Sequence, residues 1–518
     1  MIKLKNILKS ILEKNSLSPQ KNFLIVEDEI CQNKDFIKSI KHLAKGLKDL
    51  KVKPGDKIAL ILPNSVSWYE LFWAIVSVGA IPVPLDPQVG EWELRELFSL
   101  MDFHVCFITS KYRANNLEES LKKILNNTKL TPYIIVQNGS ECTSPFMSWD
   151  DFYNKRPRES EEILITDTPD GLLMYACTSG TTGNPKIIAV EHAGFYQSQR
   201  DMAEYLGLNS KDTMLLGMPL YHQGGFGMGV QAALSGTTLI YQPRFDPIKF
   251  LEIIENHKVT HIQLTPTLAK ILLTVRNIEQ YDLSSLRLAY FAGEVLPDEL
   301  AARFYEKMNI RVINIIGSSE TATMVIWDSQ YDKDVKVNDF RTLDFTSVKI
   351  LSPEGKSVKE GESGRIIIHT DAILREYYKN PQESDKRILQ IEGQRWFDTG
   401  DLAQLCPNGR IRFIGREKRI IKRGANLIFP EEIESFLLSH PSINAVAVVK
   451  KKHEIIGETI EAYIQAAEGN TLERKDLMKF CVGKISSYKI PDNFILTKEI
   501  PKDIGKIQYK YLREKRTP

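Results

Sequence analysis

Short apolar runs that alternate with amphipathic helical patterns constrain the fold of this 518-residue chain most strongly. Residues 35–50 place apolar side chains at helical spacing, and residues 57–63, K-I-A-L-I-L-P, form a short apolar run. Strands buried on both faces are typically continuous apolar runs of this kind. The pattern therefore predicts an α/β fold, with parallel sheets covered by helices on both faces.

The same pattern changes along the chain and predicts four units. Residues 1–165 and 166–340 each repeat the alternation, which indicates two doubly wound α/β units. Extended segments dominate residues 341–415, so we expect a β subdomain there. In residues 416–518 lysine and arginine outnumber aspartate and glutamate by 20 to 14, although the whole chain has a net charge of only +2. This shift predicts a small, basic, mobile α+β domain at the C-terminus.

Composition and apolar patterning exclude several classes of protein. A net charge of +2 argues against binding nucleic acid through bulk charge. The longest apolar stretch, residues 71–85, contains Gly79, Pro82 and Pro84 and is shorter than the about 20 residues of a transmembrane helix. The N-terminus lacks the features of a secretory signal. Its amphipathic pattern fits either a helix that closes the first domain or one that lies on a membrane surface.

The six cysteines are scattered singly, and no C-x-x-C or cysteine–histidine cluster occurs. Isolated cysteines in a large chain are typical of reduced thiols. We therefore expect a cytoplasmic protein without a structural zinc site.

Residues 177–187, C-T-S-G-T-T-G-N-P-K-I, are the most informative segment for chemistry. Glycines let backbone N–H groups approach a ligand, hydroxyls add donors, and Lys186 adds a positive charge. This combination predicts a polyphosphate-binding loop, and a plain surface loop is the alternative. The spacing differs from that of P-loop kinases and ATPases, because no Gly-Lys-Ser/Thr follows.

The run T-S-G-T-T-G-N-P-K resembles the phosphate-binding signature of adenylate-forming enzymes, such as acyl-CoA synthetases, luciferases and peptide-synthetase adenylation domains. Further segments resemble other family motifs in the family's order, over nearly the whole chain. The resemblance implies that ATP contacts this loop at Thr178, Ser179, Gly180, Thr181, Thr182, Gly183 and Lys186. Lys186 is also expected among the catalytic residues.

Two central motifs extend the resemblance. Residues 221–225, Y-H-Q-G-G, resemble the segment that places an aromatic residue and His222 in the acyl pocket, beside the reacting carboxylate, so His222 is also expected among the catalytic residues. Residues 292–294, A-G-E, resemble the turn along the adenine, which implies nucleotide contacts for Gly293 and Glu294.

Residues 314–321, N-I-I-G-S-S-E-T, resemble the motif N-x-Y-G-x-T-E-T. Asn314 would then meet the adenine amino group, Ser319 the phosphate, and Glu320 the magnesium ion. Ser319 is also assigned to the metal, and Glu320 to catalysis. The nucleotide contacts implied for the rest of the motif are Ile315, Ile316, Gly317 and Ser318.

The C-terminal motifs complete the resemblance. Asp401, in D-T-G-D, would accept hydrogen bonds from the ribose hydroxyls, and Arg416 would lie near the ribose and phosphate. Lys418 falls at the family's hinge position, and Lys506 at its adenylation lysine. Attack of a carboxylate on the α-phosphate of ATP brings two anions together, so catalysis needs positioning and charge neutralisation rather than a protein nucleophile. Ser486-x-x-Lys489 matches the catalytic S-x-x-K motif of some serine enzymes, and we interpret this match as coincidence.

Departures from the family pattern shape the prediction. Ile316 replaces the usual tyrosine, Ala425 stands where a glycine normally admits pantetheine, and the loop before Lys506 is one residue shorter than usual. No aspartate follows the Tyr221 segment to bind an α-amine, whereas Phe226 and Met228 suit an apolar pocket. The acid is therefore expected to be fatty or aromatic rather than an α-amino acid.

These features predict an ATP-dependent acid–thiol ligase that uses Mg²⁺, makes an acyl-adenylate and transfers the acyl group to coenzyme A. The alternative acceptor is the phosphopantetheine of an acyl carrier protein, since the basic small domain suits either acidic partner. A degenerate nucleotide-binding or scaffold protein is the non-enzymatic alternative. We expect a monomer or homodimer, with no nucleic-acid partner and no transmembrane segment.

Overall fold

A computed structural model describes residues 6–126, 132–138, 144–153, 165–178, 186–293, 296–416, 421–424, 426–428, 430–454, 456–467, 469–500, 502–503 and 506–507. The helices of these residues are α1 (Ile7–Ser16), α2 (Asn33–Asp49), α3 (Val66–Ser77), α4 (Glu91–Leu100), α5 (Leu117–Asn126), α6 (Trp149–Tyr153), α7 (His192–Leu206), α8 (Gln223–Ser235), α9 (Pro247–His257), α10 (Pro266–Leu272), α11 (Asp298–Ala302), α12 (Pro381–Arg387), α13 (Pro430–Leu438) and α14 (Arg474–Cys481).

The strands of the first half are β1 (Asn22–Val26), β2 (Glu29–Gln32), β3 (Lys57–Ile61), β4 (Ile81–Pro84), β5 (Phe103–Thr109), β6 (Lys111–Tyr112), β7 (Asn115–Asn116), β8 (Tyr133–Gln137), β9 (Phe146–Ser148), β10 (Leu172–Thr178), β11 (Lys186–Glu191), β12 (Thr213–Leu216), β13 (Thr238–Tyr241) and β14 (His261–Leu264). Those of the second half are β15 (Leu288–Phe291), β16 (Arg311–Ser318), β17 (Ala322–Asp328), β18 (Asp339–Thr342), β19 (Ser347–Leu351), β20 (Ser363–His369), β21 (Ile388–Ile391), β22 (Gln394–Leu405), β23 (Ile411–Arg416), β24 (Ile421–Arg423), β25 (Asn426–Ile428), β26 (Ile443–His453), β27 (Gly457–Ala466), β28 (Asn493–Leu496), β29 (Lys502–Asp503) and β30 (Lys506–Ile507).

Two large sheets form the body of the protein. One has the strand order β4-β3-β5-β8-β9 and is parallel throughout. The other has the order β19-β20-β22-β23-β18-β17-β16-β15-β14-β12-β13-β1-β2, with β21 beside β22. Its central strands, from β13 to β16, are parallel, and the strands from β17 to β23 continue it as an antiparallel layer. The α/β fold class predicted from the sequence is confirmed.

Helices α3 and α1 both pack into the main hydrophobic core. Ser65 caps the N-terminus of α3, since the Trp68 backbone N–H donates to the Ser65 hydroxyl at 3.1 Å. Trp68, Phe72 and Trp73 are all fully buried, as expected for a helix that is apolar around its whole circumference. The N-terminal helix α1 also packs into this core through Ile7, Leu8 and Ile11, so it closes a domain, as the first alternative proposed.

One pairing crosses the boundary expected at residue 165. Strand β1 pairs in parallel with β13, with Leu24 opposite Leu239, and β2 extends the same edge. Residues 22–32 therefore join the sheet of the second unit, which sequence order alone does not reveal.

The C-terminal residues form a small domain with its own sheet and core. The sheet has the order β25-β24-β27-β26, and β28 pairs in parallel with β27. Its core includes Phe436 and Phe494, and Trp92 of the large domain packs against it. A large N-terminal domain followed by a small C-terminal one agrees with the predicted architecture. Within the described ranges, no helix is long and apolar enough to cross a membrane.

Candidate active site

The ends of two neighbouring parallel strands position the predicted nucleotide motifs. Gly293 lies just after β15, while Asn314 lies in β16 opposite Phe291 of β15. In sheets of this kind, ligands bind beside the carboxyl ends of the strands. Here these ends border a cavity of about 360 Å³, which we call the Asp401 cavity. Its walls include Gly293, Ile315, Ile316, Gly317 and Asp401.

Asn314 offers an unused acceptor next to this cavity. Its Nδ2 group donates to the Val337 carbonyl at 3.2 Å, while its buried Oδ1 atom has no partner among the described residues. A buried acceptor without a donor is costly, so a ligand amino group would satisfy it. This fits the adenine contact expected of Asn314.

Asp401 and Arg416 occupy facing positions of the β22–β23 ladder. Asp401 is buried, and its backbone N–H donates to the Thr399 hydroxyl at 3.0 Å. The neighbouring Asp398 accepts from Arg365 at 2.6 Å. The structure thus brings together two residues assigned to the ribose from separate motifs, although only the backbone of Arg416 is described.

A second cavity, of about 340 Å³, adjoins the first, because Gly293, Ile315 and Gly317 line both. We call it the His222 cavity. Its walls bring together predicted site residues from three motifs: Tyr221, His222, Gly293, Ile315, Gly317, Ser318, Ser319 and Glu320. Two adjoining cavities of similar volume therefore meet at the end of β16.

His222 immediately precedes α8 and is neutral at neutral pH, since burial lowers its pKa to about 4. Its ring lies beside that of Tyr221, with 5.0 Å between centroids. The first turn of the helix can pack closely against residue 219 because residue 225 is glycine. A Cβ atom at that position would fall 2.2 Å from the Pro219 carbonyl oxygen. Met228 lines the cavity as expected, but Phe226 does not: it packs in the core against Phe72, 4.3 Å away.

Glu320 is held by groups that the sequence did not single out. The Tyr377 hydroxyl donates to Glu320 Oε1 at 3.0 Å, and the Leu374 N–H donates to the Glu320 carbonyl at 2.7 Å. The other carboxylate oxygen accepts from none of the described residues, and Glu320 is part of the cavity wall. Mg²⁺ needs only one or two protein carboxylates when phosphate oxygens complete its coordination, so this arrangement fits the ion.

Lys186 and Thr178 face each other at the open end of the β10–β11 hairpin. The Lys186 ammonium lies 2.5 Å from Glu383 Oε1 and 5.1 Å from the centre of the Tyr377 ring. Its charge is thus already paired, and contact with a phosphate stays a prediction. The predicted loop residues Ser179, Gly180, Thr181, Thr182 and Gly183 lie outside the described residues, as do Glu294, Lys418 and Ala425. Lys506 is described only through its backbone, in β30.

A buried ionic cluster joins the two domains and was missed in the sequence. Lys489 Nζ lies 2.5 Å from carboxylate oxygens of both Glu93, on α4, and Glu432, on α13. Ser486 also donates to Glu93, at 2.8 Å. Ser486 and Lys489 therefore both contact one carboxylate, that of Glu93. We call these four residues the Lys489 cluster.

The small domain borders the His222 cavity in this orientation. Its contributions to the wall are Asn426, Glu432, Ser486, Tyr488 and Lys489. Backbone bonds from Glu91 and Trp92 to the carbonyls of Gly483 and Lys484, at 3.2 and 2.9 Å, fix it against α4. The Lys489 cluster therefore forms part of both the domain interface and the candidate site.

The titration of Glu432 predicts a pH-dependent interface. Burial, together with the charge of Glu93, raises the pKa of Glu432 to about 7, while Lys489 opposes this shift. Proton binding to Glu432 thus favours docking of the small domain. The stabilisation of the docked orientation by this proton is complete below the ordinary glutamate pKa and is lost as pH rises through about 7. We expect interdomain fluorescence energy transfer to fall over that range. Glu432→Gln should flatten the profile, and an unchanged profile would contradict the assignment.

Two family models match the chain. The AMP-binding enzyme model matches residues 15–378, and the model of its C-terminal domain matches residues 432–504. A putative acyl-CoA synthetase, YngI of Bacillus subtilis, is 29% identical over 91% of this chain and 89% of its own length. The mitochondrial medium-chain acyl-CoA ligase ACSF2 of Danio rerio is 28% identical over 93% of this chain and 83% of its own length.

Solved structures agree with the fold. The amide bond synthetase McbA from Marinactinospora thermotolerans superposes with a TM-score of 0.86 at 20% identity, over 98% of this chain and 99% of its own. A double mutant of o-succinylbenzoate CoA synthetase from Bacillus subtilis gives 0.83 at 23% identity, over 98% of each chain. The resemblance read from the motifs is thereby confirmed: the chain belongs to the AMP-binding enzyme family and contains both its large and its C-terminal domain.

Proposed function

We propose that the protein is an ATP-dependent acid–thiol ligase that activates a carboxylic acid as an acyl-adenylate and transfers the acyl group to coenzyme A. The observation that carries this proposal is the junction of two cavities at the end of β16. The Asp401 cavity offers groups suited to a nucleoside, and the His222 cavity offers a largely apolar space for an acid. The reacting carboxylate and α-phosphate would meet at their shared wall.

In the first half-reaction, a carboxylate oxygen of the acid attacks the α-phosphorus of ATP, the bond to the β-phosphate oxygen breaks, and pyrophosphate leaves. Asp401 and Asn314 would hold the nucleoside, and Lys506 would neutralise the developing charge. Neutral His222 adds a polar group beside the carboxylate without competing for its charge. Positioning and charge neutralisation of this kind supply most of the catalysis in such transfers.

Magnesium would be held by Glu320, with Ser319 nearby, and would neutralise phosphate charge. The Tyr377 hydroxyl orients the Glu320 carboxylate by donating to one of its oxygens. The second oxygen of this cavity-lining residue would then be available to the ion.

In the second half-reaction, the thiolate of coenzyme A attacks the acyl carbon, the bond to the AMP oxygen breaks, and AMP leaves. The thiol proton passes to solvent. Asn426 of the small domain lies at the wall of the His222 cavity, next to the position assigned to the pantetheine path. The docked orientation therefore suits thioester formation. Loading of a carrier-protein phosphopantetheine is the alternative, because it uses the same arm.

The wall of the His222 cavity favours a fatty or aromatic acid over an α-amino acid. Helix α8 contains no acidic residue and contributes Gly224, Gly227 and Met228 to the wall. An α-ammonium group would therefore lack the carboxylate expected there.

A panel of acids tests the proposal directly. We expect pyrophosphate release only when ATP, Mg²⁺ and a suitable acid are present, and a thioester only after addition of coenzyme A. Parallel reactions with a phosphopantetheinylated carrier separate the two acceptors. ATP-dependent ADP formation, or the absence of pyrophosphate with every fatty and aromatic acid, would contradict the proposal.

A further inference from the structure

Two glutamines interrupt the otherwise apolar far wall of the His222 cavity. Gln199 lies on α7 and Gln231 on α8, where they face each other between the packed helices. Both line the cavity, although only 4% and 2% of their surfaces are exposed. Phe195 and Met228 flank them on the same helices. Buried amides among apolar side chains need hydrogen-bond partners. The amide atoms that have no partner within the protein therefore indicate which ligand groups the cavity can bind.

The pair satisfies only half of its hydrogen-bonding capacity. Gln231 Nε2 donates to Gln199 Oε1 at 2.8 Å. The buried Gln231 Oε1 atom has no partner in the described part of the chain, and Gln199 Nε2 donates to none of the described groups. Exchanging the oxygen and nitrogen of both amides still leaves one donor and one acceptor. The pair therefore keeps one unpaired donor and one unpaired acceptor whichever assignment is used.

The glutamine pair is closely fitted into the wall. A Cβ atom on Gly227, one helical turn before Gln231, would lie 2.9 Å from Gln199 Oε1. Any larger residue at 227 would push the Gln199 amide away. The glycine thus allows a polar group to reach a surface that its neighbours make apolar.

Charge at the cavity limits the ligand further. Lys489 is the one lysine or arginine among the described lining residues, and Glu93 and Glu432 already hold it. A second carboxylate on the acid would therefore meet no available cation at the glutamines. A neutral group matches them better, because burying an unpaired charge costs far more than burying a hydrogen-bonded neutral group.

Helix geometry sets the distance from the reacting end. Gln231 follows His222 by nine residues, which corresponds to roughly 13 Å along the axis of α8. The glutamines therefore lie at the part of the cavity that is distant from His222.

We propose that the acid carries a neutral hydroxyl group, phenolic or aliphatic, at the end distant from its carboxylate, and that Gln199 and Gln231 bind it. A hydroxyl donates one hydrogen bond and accepts others, so it matches the free acceptor and donor of the pair. This inference rests on the proposed function, because it assigns the far end of the same acyl cavity.

Matched pairs of acids test the proposal with the unmodified enzyme. Suitable pairs are 4-hydroxycinnamate with cinnamate and 8-hydroxyoctanoate with octanoate. We expect kcat/KM for the hydroxylated member of at least one pair to exceed that of its partner by about 10²-fold or more, since polar sites strongly reject analogues that lack the bonding group. Equal or greater activity on the hydrocarbon members of both pairs would overturn the proposal.

A variant assigns the preference to the pair. Gln231→Met keeps the side-chain length but removes the amide, so the preference for the hydroxylated acid should fall by about tenfold or more. The matched control is Gln197→Met on α7, the helix that carries Gln199, where the Gln197 amide bonds to Asp201 rather than lining the cavity. It should leave the preference unchanged. If Gln231→Met reduces expression, Gln199→Met provides the same test.

The outcomes distinguish the two proposals. If no acid gives pyrophosphate, the proposed function fails. If acids are activated but the preference is absent, or survives in folded Gln231→Met and Gln199→Met enzymes, only the glutamine assignment fails. The ratio of the two kcat/KM values also separates loss of hydroxyl recognition from a general structural defect. A purely structural defect would lower kcat/KM for both acids of a pair alike.

Discussion

Replacing Lys506 by alanine should slow acyl-adenylate formation by about 10²-fold or more, because the transition state loses a positive charge beside the carboxylate and α-phosphate. Thioester formation from a preformed acyl-adenylate should survive, since that step transfers no phosphoryl group. Each half-reaction can be followed separately, the first by pyrophosphate release without coenzyme A and the second by AMP release from the adenylate.

Lys502 supplies the control for this prediction. It lies in β29, which pairs with β30, and Asp503 stands opposite Lys506 in that ladder. Lys502→Ala removes the same charge from the same hairpin and should leave both half-reactions nearly unchanged. Equal losses in both half-reactions of Lys506→Ala would contradict the assigned role.

Lys489→Met should impair the other half-reaction, thioester formation, rather than adenylation. Glu93 and Glu432 would be left facing each other in a buried interface, and removal of one partner from a buried ionic group costs about 3–5 kcal/mol. Such a cost would lower the population of the docked orientation by roughly 10²- to 10⁴-fold. We therefore expect thioester formation to fall strongly, while pyrophosphate release in the absence of coenzyme A is largely retained.

Lys484→Met is the matched control, since Lys484 is exposed and its ammonium lies 4.3 Å from the centre of the Phe480 ring within the small domain. It should retain both half-reactions. A Lys489→Met enzyme that loses adenylation but keeps thioester formation would mean that this orientation serves the first half-reaction instead.

The overall fold was predictable because its signal is local. Buried parallel strands such as β3 and β14 require short apolar runs, and those runs are visible in the sequence. The pairing of β1 with β13 was not predictable, because it depends on packing between segments more than two hundred residues apart. Phe226 also looked like a pocket residue, whereas the rotation of α8 turns it into the core.

The candidate site was predictable where a motif defines it. Asn314, His222 and Asp401 all occur in recognisable segments, and the structure places each of them at or beside one of two adjoining cavities. Tyr377 carries no motif, and only the fold brings its hydroxyl to Glu320. The same is true of Gln199, whose partner Gln231 is 32 residues away in sequence.

The Lys489 cluster shows a different limit. Its members lie on α4, on α13 and before β28, so no spacing in the sequence connects Glu93 with Lys489. A lysine in a basic C-terminal segment is expected to be exposed, yet this one is buried between two carboxylates. The hinge role of Lys418 stays a prediction from the resemblance. A proline there should impair domain rotation, because it fixes φ and restricts the preceding residue.

The most direct test of the central claim is the fate of carboxylate oxygen. An acid labelled with ¹⁸O in both carboxylate positions should be incubated with ATP, Mg²⁺ and coenzyme A, and the products analysed by mass spectrometry. If the carboxylate attacks the α-phosphorus, AMP gains one ¹⁸O atom per turnover and the thioester keeps the other. Label in inorganic phosphate or pyrophosphate, or unlabelled AMP alongside a thioester, would contradict an acyl-adenylate intermediate.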